Sequence, residues 1–281
     1  MSATRPELGQ FFTPRPVIDF ALEMLHDLGA PLVGATACDP ACGPGEWLRG
    51  ALRAGAAEAL GIDCDPAMIA RWRESGLAGD PRCRLLVADG LAPRPALAGS
   101  ADVVLGNPPF GADLSDLRDS ALEDLARHYR LPGLRDPHAH PPSGAGRLSR
   151  GDFDRIRRFP TELLFLERFM ELCRPGGWVA VVLPEGVFSN ARWRHAREWL
   201  LSELTVHLVV ALPRATFRAH ATTARTCLML VHRRPPAADH RTILCEVAEC
   251  TPDALGRLRD ALSRPGSSAP PLDLTPPVFI D

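Results

Sequence analysis

The chain has 281 residues, 46% of them hydrophobic and 23% charged, with a formal net charge of −2. This profile gives apolar material for a sizeable core, in one α/β domain of ordinary size or two small ones. No apolar run reaches membrane-spanning length and the first residues hold no apolar signal core, so the expectation is no membrane and a cytoplasmic location.

Residues 16–28 have helical apolar spacing, with prolines at the start and Gly29 after the end. Short apolar runs then alternate with helical stretches. Strands are expected at 35–39, 57–63, 83–89 and 101–106, with helices at 46–54 and 66–75. That alternation predicts a mostly parallel, doubly wound sheet covered on both faces. The stretch 112–158 breaks the pattern: it is polar, holds one expected helix at 117–129, and reads as an insertion or lid. Alternation resumes with helices at 161–173 and 191–203 and strands at 178–183, 205–212, 223–231 and 242–247. A helix at 253–262 precedes a Pro/Ser-rich tail.

The run Asp39-Pro40-Ala41-Cys42-Gly43-Pro44-Gly45 joins the first strand to the first sheet-covering helix, where glycines allow a tight turn and close approach to a ligand. It is not the dinucleotide fingerprint, because Trp47 and Leu48 follow instead of a third glycine, and a chain without lysine has no P-loop. Asp63 ends the second strand, where a carboxylate suits a ribose diol. Asp89 ends the third, where it suits the amino group of an adenine ring. Three acids at consecutive strand ends fit a nucleoside ligand without phosphates.

The fourth strand ends in Asn107-Pro108-Pro109-Phe110. The prolines stiffen the turn and remove donors, so the Asn107 side-chain oxygen and the Pro108 carbonyl are placed to accept the two N–H groups of a planar amine. Those acceptors counter the delocalisation that makes such an amine a poor nucleophile, and Phe110 offers a stacking face. All 32 basic residues are arginine and only Asn107 and Asn190 are asparagine, a GC-rich skew that gives a retained asparagine added weight.

These motifs, in this order, resemble the amino-methylating, adenine-specific DNA methyltransferases, in particular the modification subunits of type I restriction–modification systems. Gly9 to Pro14 resembles that family's N-terminal motif, Asp39 to Gly45 its glycine-rich motif, and Asn107 to Phe110 its catalytic tetrapeptide. Residues 174–184 resemble its fifth-strand region. The resemblance implies a Rossmann-like S-adenosylmethionine-dependent methyltransferase domain over 1–233, a strand–helix extension over 234–262 and a tail over 263–281. It implies S-adenosyl-L-methionine as cofactor, held by Phe12, Thr13, Pro14, Asp39, Pro40, Ala41, Gly43, Gly45, Asp63 and Asp89. It implies catalysis by Asn107, Pro108, Pro109 and Phe110, with Phe110 and Phe217 against the flipped base.

DNA is the implied substrate. Methylation of RNA bases or of a protein glutamine amide, and a non-catalytic binding subunit, are the competing readings. Arginines at 155–158, 192–197, 214, 218 and 225 are candidate phosphate contacts, with a solvated helix face as the competing reading for the first two groups. Eight cysteines without paired Cys-x-x-Cys spacing, and His138 and His140 without a third ligand, predict no metal. No separate recognition domain is visible, so a separate specificity subunit or partner protein is expected.

Overall fold

The computed structural model describes residues 12–111, 114, 117–131, 149–220 and 225–263. The predicted motif residues Gly9 to Phe11, the two loop histidines and the tail from 264 lie outside them. Strands β1 (Thr36–Asp39), β2 (Glu58–Asp63), β3 (Cys83–Val87), β4 (Ala101–Gly106), β5 (Cys173–Pro184), β6 (Thr205–Leu212), β7 (Thr226–His232) and β8 (Ile243–Glu246) form one sheet in the order β3-β2-β1-β4-β5-β7-β6-β8. Every described pairing is parallel except those of β7, which runs antiparallel to both β5 and β6. Helices α1 (Arg15–Asp27), α2 (Glu46–Arg53), α3 (Met68–Glu74), α4 (Asp119–His128), α5 (Arg150–Arg157), α6 (Thr161–Leu172), α7 (Gly186–Ser189), α8 (Arg194–Glu203) and α9 (Pro252–Ser263) flank it.

The period-2 apolar runs explain why two layers of helix are needed. On β5, Val179, Val181 and Leu183 face the layer of α4, α5, α6 and α8, while Trp178, Ala180 and Val182 face that of α1 and α9. On β6 the parity switches. Val206 and Val209 share one layer and Leu208 and Val210 the other, because an irregularity between Val206 and Leu208 adds a residue.

The expected C-terminal extension joins the same sheet: β8 pairs with β6, and α9 docks on α1 through Arg259 to Asp27 and Glu23. The stretch 112–158, expected as an insertion or lid, packs against the domain in its described parts. Leu114, Leu122, Leu125, Tyr129, Leu131 and Ile156 are buried with α6, and a second helix, α5, starts at a capping box of Ser149 and Asp152. The Tyr129 hydroxyl donates to the Leu91 carbonyl at 2.7 Å, fastening this region to the loop after β3.

This packing can be tested at two residues. Replacing Tyr129 by Phe leaves the buried Leu91 carbonyl without its donor, so unfolding in urea is expected to show a loss of about 1–3 kcal/mol. His207 sits at the β6 irregularity, 5.1 Å from Trp178 and 5.2 Å from His240 between ring centroids. Burial foremost, then the His240, His232 and Arg234 charges, pulls its imidazole down to about 4. The unfolded chain takes up that proton near the ordinary value of about 6.5, so the His207 contribution is whole above that pH and lost as pH falls toward the folded value. In thermal melts, His207→Gln is expected to gain a few degrees on the parent between about pH 7 and pH 5. A pH-independent gap would contradict the assignment.

Candidate active site

The strand connections diverge at β1 and β4, and the crevice opened there lies at the carboxyl ends of the strands. A cleft of about 190 Å³ occupies it. Asp39 to Pro44 enter from β1, Asp63 and Cys64 from β2, Asp89 to Leu91 from β3, and Asn107 and Pro109 from β4. Phe12 and Thr13 close it from the N-terminal side, and Thr161 and Phe165 from α6.

The glycine loop is folded by its own backbone and held by two tryptophans. Gly43 and Gly45 take positive φ of 49° and 88°, and a Cβ on Gly43 would touch the Phe12 ring at 3.4 Å. The Trp72 indole donates to the Gly43 carbonyl at 2.7 Å, and the Trp47 indole donates to the Thr13 hydroxyl at 3.1 Å. Asp63 accepts from the Gly43 N–H at 2.8 Å and from the Asp65 N–H at 2.9 Å. It is thus a clamp for the loop as well as part of the cleft wall, a double duty that strand-end position alone did not reveal. Each of its oxygens keeps a further lone pair for a ligand hydroxyl. Burial pushes the Asp63 carboxyl above the ordinary carboxylate range.

Asp39 is 1% exposed. Its Oδ1 accepts from the Ala41 N–H at 3.0 Å, while Oδ2 is buried without a hydrogen-bond partner. Burial foremost, and the nearby Asp63 charge, push its carboxyl well above the ordinary range. Asp89 is exposed and accepts from the Leu91 N–H at 2.9 Å. Glycines make room for these acids. A Cβ on Gly106 would lie 2.7 Å from Asp39 Oδ1, and one on Gly90 would lie 1.9 Å from the Pro40 carbonyl oxygen.

The structure therefore gathers Phe12, Thr13, Asp39, Pro40, Ala41, Gly43, Asp63, Asp89, Asn107 and Pro109 around one cavity. It does not bring every expected residue there. Pro14 and Gly45 stand outside the lining, Pro14 as the cap of α1 and Gly45 as the left-handed cap of α2, so they shape the backbone. Pro108 is buried behind the turn, and Phe110 is half-buried beside it. Phe217 corrects the expectation most clearly. At 1% exposure it packs in the core with Leu212 and Leu228, and its ring is closed to a base in this conformation.

The arginine groups are likewise partly spoken for. Arg157 binds Asp119 and the Leu117 carbonyl, Arg194 binds Glu198, Arg197 binds the Val187 and Asn190 carbonyls, and Arg225 lies 3.7 Å from Glu185. Arg168 was not expected at all. It is fully buried on α6 and donates to the Gly90 carbonyl and to Glu171, whose other partner is His128. With Tyr129 it fixes both carbonyls of the loop that follows Asp89.

Among the described residues the lining includes four acids, Asp39, Glu46, Asp63 and Asp89, and no arginine, lysine or histidine. Such a wall repels phosphates and suits a nucleoside bearing positive charge. The unpartnered, buried Asp39 Oδ2 is the polar atom such a ligand would answer. The residues present therefore fit an adenosyl sulfonium.

Comparison with known proteins agrees. Residues 37–133 match the family model described as a methyltransferase domain, and residues 157–257 match that of the N-6 DNA methylases. A Listeria monocytogenes protein titled as a class I S-adenosylmethionine-dependent methyltransferase superposes with a TM-score of 0.67 at 19% identity, over 94% of this chain and 73% of that one. The modification subunit of a type I restriction enzyme from Vibrio vulnificus superposes with a TM-score of 0.65 at 21% identity, over 91% and 53%. The type I restriction-modification methyltransferase subunit of Streptococcus thermophilus gives 0.64 at 19%, over 92% and 54%. The chain spans about half the length of these two subunits. It has a Rossmann-like fold of the kind found in the S-adenosylmethionine-dependent methyltransferases, with a methyltransferase-domain match over 37–133 and an N-6 DNA methylase match over 157–257.

Proposed function

We propose that the chain methylates the exocyclic amino group of adenine in DNA, with the base turned out of the helix into the turn after β4. The observation that carries this reading is the convergence, on one cleft, of Asn107 and Pro109 with acids from three neighbouring strand ends. The methyl donor in this reading is S-adenosylmethionine, which when bound would supply an electrophilic methyl group. The chain's own residues do the rest.

Asp63 accepts from the ribose hydroxyls while keeping its bond to the Gly43 N–H, so ligand binding and loop geometry are fixed by one side chain. Asp89 accepts from the adenine amino group of the cofactor, steadied by its bond to the Leu91 N–H. Asn107 and the Pro108 carbonyl accept the two N–H groups of the target amine. They draw its lone pair out of the ring and stabilise positive charge developing on nitrogen. Phe110 stacks on the turned-out base, an arrangement enzymes use when they must reach a base inside a duplex. The Thr161 hydroxyl, 3.5 Å from the Pro109 carbonyl, and Glu162, accepting from the Gly111 N–H, steady this turn from α6. Sequence choice is assigned to a separate specificity subunit, in keeping with the type I modification subunits that the chain resembles.

Two measurements test this reading. In calorimetry, Asp63→Asn, which keeps one acceptor for Gly43, is expected to weaken S-adenosylmethionine binding by about 10–100-fold, the scale of a hydrogen bond to a charged group. Asn107→Ala is expected to lower methylation of adenine-containing duplex DNA by about 100-fold or more while cofactor affinity stays within about threefold. Loss of cofactor binding in that variant would remove Asn107 from the target site. Preferential labelling of RNA or of a glutamine-containing peptide by the parent would move the substrate to that class.

A further inference from the structure

We propose that Asp39 is the group by which the chain tells its charged methyl donor from the neutral spent product, holding a proton in the free protein and giving it up when a cation lies over it. The proposal rests on the cofactor assignment and deepens it.

The sheet order β3-β2-β1-β4 lines up Asp89, Asp63, Asp39 and Asn107 on four adjacent strand ends. Neighbouring strands lie about 4.8 Å apart, so these groups stand in a row along the cleft. The acid suited to an adenine ring and the acid suited to a ribose occupy the first two ends, and the amine-holding asparagine the last. The end between ribose and target belongs to Asp39.

The setting of that carboxyl is unusual for a mere loop cap. One oxygen accepts the Ala41 N–H and would complete an ordinary turn by itself. The other is buried, has no partner, and belongs to a residue that lines the cleft. Gly106 of β4 lies against Oδ1, where a Cβ would stand 2.7 Å from that oxygen and 2.9 Å from Phe169 of α6. Of the titratable groups around it, Asp63 on β2 is a like charge, and the Cys38 and Cys42 thiols are pushed upward by burial, with Asp39 among the lesser causes. Arg168 of α6 is committed to the Gly90 carbonyl and Glu171. Burial and Asp63 both disfavour the anion and push this carboxyl upward, which favours the acid form while the cleft is empty.

A sulfonium over this position reverses the balance. The Asp39 O–H bond breaks, the proton passes to solvent, and the carboxylate remains facing the cation. After methyl transfer the ligand sulfur is a neutral thioether, and the methylated amine sheds its own proton. Asp39 recovers a proton from solvent, and no sulfonium remains opposite it. One proton per turnover is released overall. Below the pH at which free Asp39 ionises, donor binding then weakens about tenfold per pH unit, whereas product binding does not.

The test is titration calorimetry of the whole chain in two buffers of different ionisation enthalpy, with three ligands. These are S-adenosylmethionine, sinefungin (which carries a protonated amine in place of the methylated sulfur) and S-adenosylhomocysteine. The two cationic ligands are expected to release close to one proton per site near neutral pH and the neutral one none. The affinity ratio of donor to product is expected to rise at least about tenfold between about pH 6 and pH 8. In Asp39→Asn both the release and the pH dependence of the ratio disappear. If that variant does not fold, the proton counts of the parent still decide. Equal counts for all three ligands, or a pH-dependent ratio surviving in folded Asp39→Asn, would overturn the proposal. Binding of none of the three would overturn the cofactor assignment instead, and the proposal with it.

Discussion

The cleft depends on one steric constraint: four loops must meet at the divergence of the β1 and β4 connections without side chains between them. Gly90 lets the loop after β3 lie against the Pro40 carbonyl, where any Cβ would overlap it at 1.9 Å. Gly106 lets the end of β4 approach the Asp39 carboxyl. Gly61 has the same role on the neighbouring strand β2, where a Cβ would press on Leu48, Cys42 and Leu85 within 3 Å. Close packing of backbone in turn deprives Asp39 of water, and that dehydration pushes its carboxyl upward. The electrostatics of the site thus descend from the absence of three methyl groups.

How far a sequence discloses such a site depends on whether its chemistry is local. Acids at strand ends are legible, because period-2 runs announce where a strand stops and a following glycine announces a turn. Asp39, Asp63 and Asp89 were read that way, and all three line the cleft. The stiff turn at Asn107 was legible for the same reason. What could not be read are partnerships over long separations. Arg168 sits in a helix among residues that look like an ordinary amphipathic pattern, and only packing shows that the Gly90 carbonyl, 78 positions away, is its acceptor. Tyr129 is the single tyrosine of the chain, yet rarity did not mark it, and its bond to Leu91 spans 38 positions. Phe217 failed in the opposite sense. An aromatic near a strand end suggested a surface for a base, and the core claimed it.

The packing of 112–158 has a physical lesson of the same kind. Its polar composition hides a few well-spaced apolar residues, among them Leu122, Leu125 and Ile156, that suffice to attach short helices to α6. A helix of eight or ten residues is marginal alone, so such segments exist because a core accepts them. Their attachment has consequences at the site. The same α6 that receives them supplies Thr161 and Phe165 to the cleft, and Arg168 to the loop behind it. The insertion and the cofactor pocket therefore share a scaffold, and a change in one is felt by the other through α6.

A cleft walled by acids and lacking basic side chains imposes an electrostatic order of events that a phosphate-binding Rossmann site does not. There, charge complementarity favours the same cofactor before and after reaction, since the phosphates do not change. With S-adenosylmethionine as the proposed ligand, a positive charge would be lost in the chemical step while Asp39, Asp63 and Asp89 stay where they are. A permanently ionised Asp39 would be left facing a neutral thioether with its buried Oδ2 unpaired, which is costly. An acid that can reclaim a proton escapes that cost. Its neutral form does not hold the spent ligand, and its charged form returns only with the next cation. On the proposed cycle, the burial that disfavours the Asp39 anion also lets the site reset.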